Sequence, residues 1–252
     1  MANVPIALQL YTVRDELAKD FAGTVRRVAQ IGYTGIELAG TGGLSAAEMS
    51  DLLAETGLKV AGSHVGLDVL REDTDSVIEY YRAIGAEAVG VPALPRDMQN
   101  PQGYRQVAAA MNELGAAFKS AGMMFYYHNH AFEFDGVEGE RGIDILYGET
   151  DPELVALEAD VYWYAYAGQD PAALIRQYAG RFALVHLKDM IGSGDDRTFA
   201  EVGQGNIDFE PIFAASEAQG VRWYIVEQDR CAGPSMESAR ISYENLSRWG
   251  KA

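Results

Sequence analysis

Eight short apolar stretches alternate with longer helix-like stretches along the chain, and this alternation constrains the fold more than any other feature. The apolar stretches are residues 6–11, 35–38, 58–64, 88–92, 123–130, 154–160, 182–186 and 222–227. They are apolar enough to be buried on both faces, as parallel strands covered by helices are. Eight strand–helix units in 252 residues predict an α/β fold, the (β/α)₈ TIM barrel.

An open, doubly wound sheet is the alternative fold for the same alternation. Such a sheet usually carries a glycine-rich phosphate-binding turn after strand one. Here strand one is followed by Tyr11, Thr12, Val13 and Arg14. The missing glycine turn also argues against a dinucleotide cofactor. No Pro-, Ser- or Gly-rich linker and no charge block divides the chain, so residues 1–252 are predicted to form a single domain.

The charge balance restricts the partners. The chain has 37 acidic and 20 basic residues, a net charge of -17, which repels nucleic acids and anionic membrane surfaces. Cys231 is the only cysteine, so a disulfide within the chain and a thiolate zinc site are excluded. Residues 1–5 lack a basic region followed by a long apolar stretch, and a cytoplasmic location is predicted.

Side chains that can bind a metal stand where the apolar stretches end. All four histidines do so, namely His64, His128, His130 and His186. Two other stretches end in the carboxylates Asp160 and Glu227. In a (β/α)₈ barrel the carboxyl ends of the strands meet at one mouth, where active sites are built. The pattern therefore predicts an enzyme.

The ends of strands six, seven and eight predict a metal site. Asp160, His186 and Glu227 stand there on strands that are neighbours around the ring. Two carboxylates and one imidazole suit Mn²⁺, Co²⁺, Mg²⁺ or Zn²⁺. A single carboxylate at a strand end is commonly a helix cap, and a single histidine is commonly a core residue. The prediction therefore depends on the three residues converging.

Other polar and aromatic residues near the strand ends are candidates for contact with a substrate. Glu37, His64 and His128 are predicted to bind hydroxyl groups, with simple surface hydrogen bonds as the alternative. Trp163, within a Tyr/Trp-rich run, suits stacking on a sugar ring, although such a run also packs as helix core. Lys188 suits a general acid or an electrostatic clamp, with an exposed loop lysine as the alternative.

Five stretches together resemble one superfamily, the xylose isomerase-like barrels of the sugar phosphate isomerase/epimerase type. They are YHNHAFEF at 127–134, EADVYW at 158–163, HLKD at 186–189, VGQGNIDF at 202–209 and VEQD at 226–229. The resemblance covers nearly the whole chain. It implies a divalent metal held by a carboxylate from strand five, an aspartate from strand six, a histidine from strand seven and a glutamate from strand eight. Asp160, His186 and Glu227 match the last three.

Strand five departs from this pattern, because it has histidines and tyrosines where many members have glutamate. Glu133, in the loop that follows, is the predicted fourth ligand, with His128 and His130 as alternatives. The glutamate of strand five is often an acid/base group in the epimerases, so the departure also affects the mechanism. Glu227 or Glu133 is the hypothesised base, and His130 or Lys188 the proton donor.

The resemblance implies proton transfer next to a carbonyl through a metal-stabilised enediolate. The main prediction is an isomerase or epimerase acting on a sugar or sugar phosphate. The alternative is a lyase that dehydrates a keto-cyclitol or keto-sugar, because the His-Asn-His strand and the VEQD stretch resemble inosose dehydratase-like members. The acidic balance favours an unphosphorylated substrate, although Arg14, Arg96 or Arg230 would bind one phosphate.

Two other functions remain open on this fold. Apurinic-site endonucleases share the barrel, but they need several metals and a basic DNA face, which a chain with a net charge of -17 does not offer. A non-catalytic sugar-binding protein would not need a complete metal site. Exposed apolar helix faces would allow a homo-oligomer.

Overall fold

Eight parallel strands form one sheet in the order three, two, one, eight, seven, six, five, four. The computed structural model describes residues 4–252, so the first three residues of the predicted 1–252 domain lie outside it. A parallel bridge between His64 and Gly90 links the two ends of the sheet, and the Val65 amide donates to the Gly90 carbonyl at 2.9 Å. The predicted (β/α)₈ barrel is confirmed.

Each barrel strand is followed by at least one helix. Strands one to eight are Ile6–Gln9, Gly35–Leu38, Lys59–Ser63, Ala88–Val91, Met124–His128, Ala156–Asp160, Phe182–Leu187 and Trp223–Val226. The helices are Arg14–Leu17, Phe21–Ile31, Ala46–Thr56, Leu67–Glu72, Thr74–Ala83, Pro101–Ser120, Gly142–Glu149, Val161–Tyr166, Pro171–Gln177, Phe209–Ala218 and Ser235–Arg248. Within residues 4–252, no helix combines the length and the apolar character needed to cross a bilayer.

The helix after strand two begins and ends as its sequence predicts. The Ser45 side chain accepts from the Glu48 amide, and the Glu48 carboxylate accepts from the Ser45 amide at 2.8 Å. This capping box satisfies two amides that the first turn leaves without helical partners. Gly57 ends the helix at φ 71°, a left-handed conformation that costs glycine little.

The structure differs from the sequence prediction after strands five and six. Strand five ends at His128 rather than at residue 130, and a 3₁₀ turn at Phe132–Phe134 follows. Directly after strand six, Asp160 caps the helix Val161–Tyr166 by accepting from the Trp163 amide at 3.0 Å. The sequence indicates a helix only from Asp170, because a run rich in aromatic residues has only moderate helix propensity.

Several short elements are absent from the sequence prediction. They are the helix Leu67–Glu72 and two small hairpins, Gly136–Val137 with Glu140–Arg141 and Asp189–Ile191 with Thr198–Ala200. The hairpins lie in the loops after strands five and seven. Strands of two or three residues are too short for a period-two pattern to be recognisable.

The inside of the barrel consists of two layers. The apolar layer is formed by Ala7, Ala61, Ala88, Tyr126, Leu184, Trp223 and Ile225. Nearer the carboxyl ends lies the polar layer, formed by Gln9, Glu37, His64, His128, Glu158, Asp160, His186 and Glu227. Because side chains alternate along a strand, a residue two positions later faces the same interior. Ala7 is thus followed by Gln9, and Ile225 by Glu227.

Glycine makes room for Tyr126, an aromatic side chain of the apolar layer. A Cβ atom at Gly90 would lie 2.4 Å from the ring of Tyr126, which is closer than real carbon contacts allow. Tyr126 therefore spans the barrel and reaches the polar layer, where its hydroxyl donates to the Glu37 carboxylate.

Candidate active site

Four residues of the polar layer converge at the carboxyl ends of strands five to eight. One donor atom from each of His128, Asp160, His186 and Glu227 lies within 4.8 Å of the others. His128 Nε2 is 3.2 Å from Asp160 Oδ2, and His186 Nδ1 is 2.9 Å from Glu227 Oε2. His186 Nδ1 is 3.8 Å from Asp160 Oδ2. We call these four residues the four-donor group.

Lys188 lies against the four-donor group and is fully buried. Its Nζ atom is 2.9 Å from Asp160 Oδ2 and 2.8 Å from Glu227 Oε2. A third carboxylate, that of Asp229, is 2.7 Å from the same nitrogen. The exposed-lysine alternative from the sequence is therefore wrong, because the ammonium is enclosed by three carboxylates.

A second set of polar side chains contacts His186 on the side of its ring opposite the four-donor group. His186 Nε2 is 2.7 Å from Glu37 Oε2 and 3.2 Å from Glu158 Oε1. His64 Nε2 is 2.9 Å from Glu158 Oε2. Gln9 donates to Glu37 at 2.7 Å. Contact with Glu37 through Nε2 leaves Nδ1 of His186 to face the four-donor group, as in carboxylate–histidine–metal arrangements.

These contacts shift the pKa values of the groups involved. Burial alone would raise the pKa of Asp160, but Lys188 and His128 outweigh burial and lower the pKa to about 2. Burial would also lower the pKa of Lys188, yet Asp160 and Glu227 raise it well above its usual value. Lys188 therefore keeps its charge, and a clamp fits it better than a proton donor.

Glu133, the predicted fourth ligand, lies outside the four-donor group. Its Oε1 atom accepts from the Tyr127 hydroxyl at 2.6 Å, and its Oε2 atom accepts from the His130 amide at 2.9 Å. The side chain is fully buried, and this burial raises its pKa to about 7. His128, which the sequence leaves as an alternative, stands in the group instead. The carboxylate of Glu133 shapes the loop after strand five.

His130 has a free ring nitrogen. Its Nδ1 atom is buried, with no hydrogen-bond partner in the described part of the chain. Its ring lies 4.9 Å from the ring of His128 and 5.3 Å from that of Trp163. Burial, His128 and Lys188 lower the pKa of His130 well below its usual value, so the imidazole is neutral.

The residues expected to bind a substrate lie at different depths. Both carboxylate oxygens of Glu37 already have partners inside the barrel, Oε1 the Tyr126 hydroxyl and Oε2 the His186 ring, which does not favour the expectation that Glu37 binds a hydroxyl. The side chain of His64 is 9% exposed. Trp163 is partly exposed, and Lys188 Nζ lies 5.5 Å from its ring centroid. Within residues 4–252 the indole N–H of Trp163 has no hydrogen-bond partner.

The four-donor group fits a divalent ion. Its buried donors are two imidazole nitrogens and two carboxylate oxygens, a set that Zn²⁺, Mn²⁺ and Co²⁺ accept. Ligand atoms about 2.1 Å from a common ion lie roughly 3.0–3.4 Å apart. The separations of 2.9, 3.2 and 3.8 Å bracket that range.

Sequence reasoning missed several contributors to the site. They are Gln9, Tyr126, Glu158 and Asp229. A spacing of two residues was the available signal for two of them. Glu158 precedes Asp160 by two positions, and Asp229 follows Glu227 by two, so each pair can reach the same side.

The chain matches a family model and known proteins, and the relatives found are similar to one another. The family described as xylose isomerase-like TIM barrel matches residues 25–249. An inosose dehydratase of Clostridium beijerinckii is 31% identical over 147 residues, which cover 52% of this chain and 49% of that protein. An inosose dehydratase of Clostridium tetani is 32% identical over 145 residues, which cover 50% and 47%. The chain thus spans about half the length of the curated relatives it matches.

Solved structures agree on the fold. A sugar phosphate isomerase/epimerase from Parabacteroides distasonis superposes with a TM-score of 0.78 at 26% identity, covering 98% of this chain and 94% of that chain. An L-ribulose 3-epimerase superposes with a TM-score of 0.70 at 18% identity, covering 100% of this chain and 95% of that chain, which supports the fold alone.

Proposed function

The chain belongs to the xylose isomerase-like TIM barrel family, and from this premise we propose that it is a divalent-metal-dependent dehydratase acting on a keto-cyclitol or keto-sugar. The curated relatives are inosose dehydratases, and they favour this reaction over the isomerase or epimerase that the sequence alone puts first. The observation that carries the proposal is the four-donor group with the Lys188 ammonium beside it.

The reaction is the loss of water across two carbons next to a carbonyl. A base takes the proton from the α-carbon, and the electron pair of that C–H bond forms the C=C bond. The C–O bond to the β-hydroxyl breaks, and the hydroxyl leaves as water with the proton that the base gives up. Negative charge develops on the carbonyl oxygen as the α-proton departs. A divalent ion bound by the four-donor group would supply Lewis-acid polarisation of that carbonyl.

Residues of this chain supply the proton transfer and the charge stabilisation. His130 is the proposed base at Nδ1, because this nitrogen has no protein partner in residues 4–252. The hypothesised alternatives fit less well, since both oxygens of Glu133 accept hydrogen bonds from the protein and Glu227 is held by His186 and Lys188. Lys188 is the proposed clamp for the developing oxyanion.

Trp163 is proposed to bind the substrate through its edge. The ring of His130 and the ammonium of Lys188 already lie near this indole, whereas the N–H has no partner among the described residues. A buried indole N–H usually has an acceptor, and a substrate hydroxyl would provide one. The proposed role is therefore a hydrogen bond rather than the predicted stacking.

The proposed substrate carries no phosphate. Of the three arginines that the sequence offers for a phosphate, Arg14 already donates to the carbonyls of Tyr11 and Asp229, each at 2.8 Å. A phosphate at that position would have to compete with both contacts. Hydroxyl groups of a neutral ring need no such cation.

The test is turnover of an inosose by the Mn²⁺-loaded protein in deuterated water, followed by NMR. We expect water loss and a dehydrated product. Exchange of the α-proton into solvent without water loss would support the isomerase or epimerase instead. The absence of both proton exchange and water loss would contradict the proposal. In His130→Gln, water loss should fall at least about a hundredfold, the usual contribution of a general base. Its Mn²⁺ affinity should stay unchanged, which separates a lost base from a lost metal.

A further inference from the structure

Lys188 contacts the same two carboxylate oxygens that the four-donor group presents. Asp160 Oδ2 lies 2.9 Å from the ammonium and 3.2 Å from His128 Nε2. Glu227 Oε2 lies 2.8 Å from the ammonium and 2.9 Å from His186 Nδ1. A divalent ion held by the group and the ammonium of Lys188 would therefore share both oxygens.

Two cations that share buried oxygens repel each other more strongly than they would in water. Lys188 is fully buried, so solvent does not screen its charge. In the absence of an ion, the ammonium offsets the charges of Asp160 and Glu227, which otherwise would be buried close together at high cost. It thus performs part of the electrostatic role of the metal.

Asp229 gives the ammonium a third partner outside the four-donor group. Its Oδ2 atom is 2.7 Å from Lys188 Nζ, and its side chain is 24% exposed. The rings of Trp163 and Phe199 also lie close to the ammonium, at 5.5 and 5.9 Å from their centroids. If a metal bound to Asp160 and Glu227, the ammonium would lose part of its interaction with these two carboxylates. Its contacts with Asp229 and with the two rings would remain.

We propose that Lys188 is a built-in counter-ion that competes with the divalent metal for Asp160 and Glu227, and that Asp229 moderates this competition by holding the ammonium. The proposal rests on the metal site of the proposed function. It predicts that the protein binds its metal more weakly than the four donors alone would permit. In return, the site stays organised and charge-balanced when no metal is bound.

The experiment is calorimetric titration of Mn²⁺ into chelator-treated protein. Lys188→Met keeps most of the length of the side chain and removes the charge, so it should bind Mn²⁺ at least about tenfold more tightly than the original protein, because a repulsion between buried cations is lost. Lys188→Arg keeps the charge and should not show this gain. Lys119→Met is the matched control, because Lys119 pairs with Glu153 on the surface, and its Mn²⁺ affinity should not change.

Asp229→Asn provides an independent arm that leaves Lys188 intact. Without the Asp229 charge, the ammonium is drawn more strongly to the two metal-binding carboxylates, so Mn²⁺ affinity should fall. The fall should be smaller when Lys188→Met is already present, because there is then no ammonium to hold. Such non-additivity is the signature of coupling between neighbouring residues. If circular dichroism shows that Lys188→Met does not fold, the loss of Mn²⁺ affinity in Asp229→Asn alone carries the test, and an unchanged or higher affinity in that variant would overturn the proposal.

Thermal unfolding with and without Mn²⁺ gives a second readout. Without metal, Lys188→Met should melt at a lower temperature than the original protein, and Mn²⁺ should raise its melting temperature by more. Equal or weaker Mn²⁺ binding by Lys188→Met would overturn the competition while leaving the metal site intact. No Mn²⁺ binding by any variant would overturn both the metal site and the competition.

Discussion

The apolar and polar layers of the barrel interior are built by the same strands, but their side chains are stabilised in different ways. In the apolar layer, Leu184 and Ile225 are fully buried and need only space and neighbours. Two residues further along the same strands, His186 and Glu227 are buried as well, but each needs a partner of suitable charge. Along one strand, two residues that are only two positions apart thus have different roles, one in core packing and the next in the polar site.

The difference shows where stability and function reside. Replacing a residue of the apolar layer creates a cavity, which lowers the free energy of unfolding. Replacing a residue of the polar layer changes a charge and its partners, and thereby changes what the site binds. Active sites commonly sacrifice stability in this way. Two substitutions on the same strand, one in each layer, test whether the apolar layer determines stability and the polar layer determines binding.

The largest expected effect is that of Glu227→Gln on turnover. The substitution removes one carboxylate from the four-donor group and one partner of Lys188. We expect inosose turnover to fall by about a thousandfold or more, as when a group that stabilises charge is lost. Steady-state kinetics with saturating Mn²⁺ would measure this. If turnover stayed within about tenfold of that of the original protein, the assignment of function to the polar layer would be contradicted.

Ile225→Ala, two residues earlier on the same strand, is the matched partner. Ile225 is fully buried in the apolar layer, so its truncation should lower the free energy of unfolding by about 2–5 kcal/mol. Urea denaturation would measure the loss. Mn²⁺ affinity of the folded variant should stay unchanged, and a large drop in affinity would mean that the layers are not separable.

Glu133 sharpens the comparison, because it is a buried carboxylate outside both layers. An unfolded glutamate has a pKa of about 4.3, whereas burial raises that of Glu133 to about 7. The folded state therefore holds this proton more tightly, and stability falls as pH rises from the unfolded pKa to the folded one. The loss is about 4 kcal/mol. Urea denaturation in the presence of a chelator should show that the free energy of unfolding falls less with rising pH in Glu133→Gln than in the original protein. Identical pH profiles for the two proteins would refute the raised pKa of Glu133.

The smallest expected effect is that of Glu37→Gln on metal affinity. Glu37 contacts His186 Nε2, on the side of the ring opposite the four-donor group. Loss of such a supporting carboxylate typically costs roughly 10–100-fold in metal affinity. We expect the lower end of that range, because the amide oxygen still accepts the same hydrogen bond. Mn²⁺ titration would measure it, with the exposed Glu55→Gln as control. An unchanged affinity would remove Glu37 from this role.

The barrel was predictable from the sequence because buried parallel strands leave an unmistakable pattern of apolar stretches. The sequence also predicts that Asp160, His186 and Glu227 lie together, since they end neighbouring strands, and the structure brings them together. Both inferences follow from topology alone. Neither needs knowledge of loop conformation.

The remainder of the site depends on tertiary contacts. Three carboxylates stabilise the buried ammonium of Lys188: that of Asp160, from strand six, and those of Glu227 and Asp229, from the segment directly after strand eight. No local sequence pattern encodes this arrangement. Glu133 resembles a ligand in its position after strand five. The conformation of that loop turns its carboxylate to Tyr127 and to the His130 amide, which spacing alone does not reveal.

The most direct test of this account is the metal content of the purified protein and its Mn²⁺ titration, compared with Asp160→Asn. The four-donor group predicts about one divalent ion per chain in the original protein. The variant should lose that ion while keeping its fold, because an amide oxygen at this position can still accept from the Trp163 amide and cap the helix Val161–Tyr166. Equal metal binding by both proteins, or none by the original, would contradict the four-donor group as the metal site.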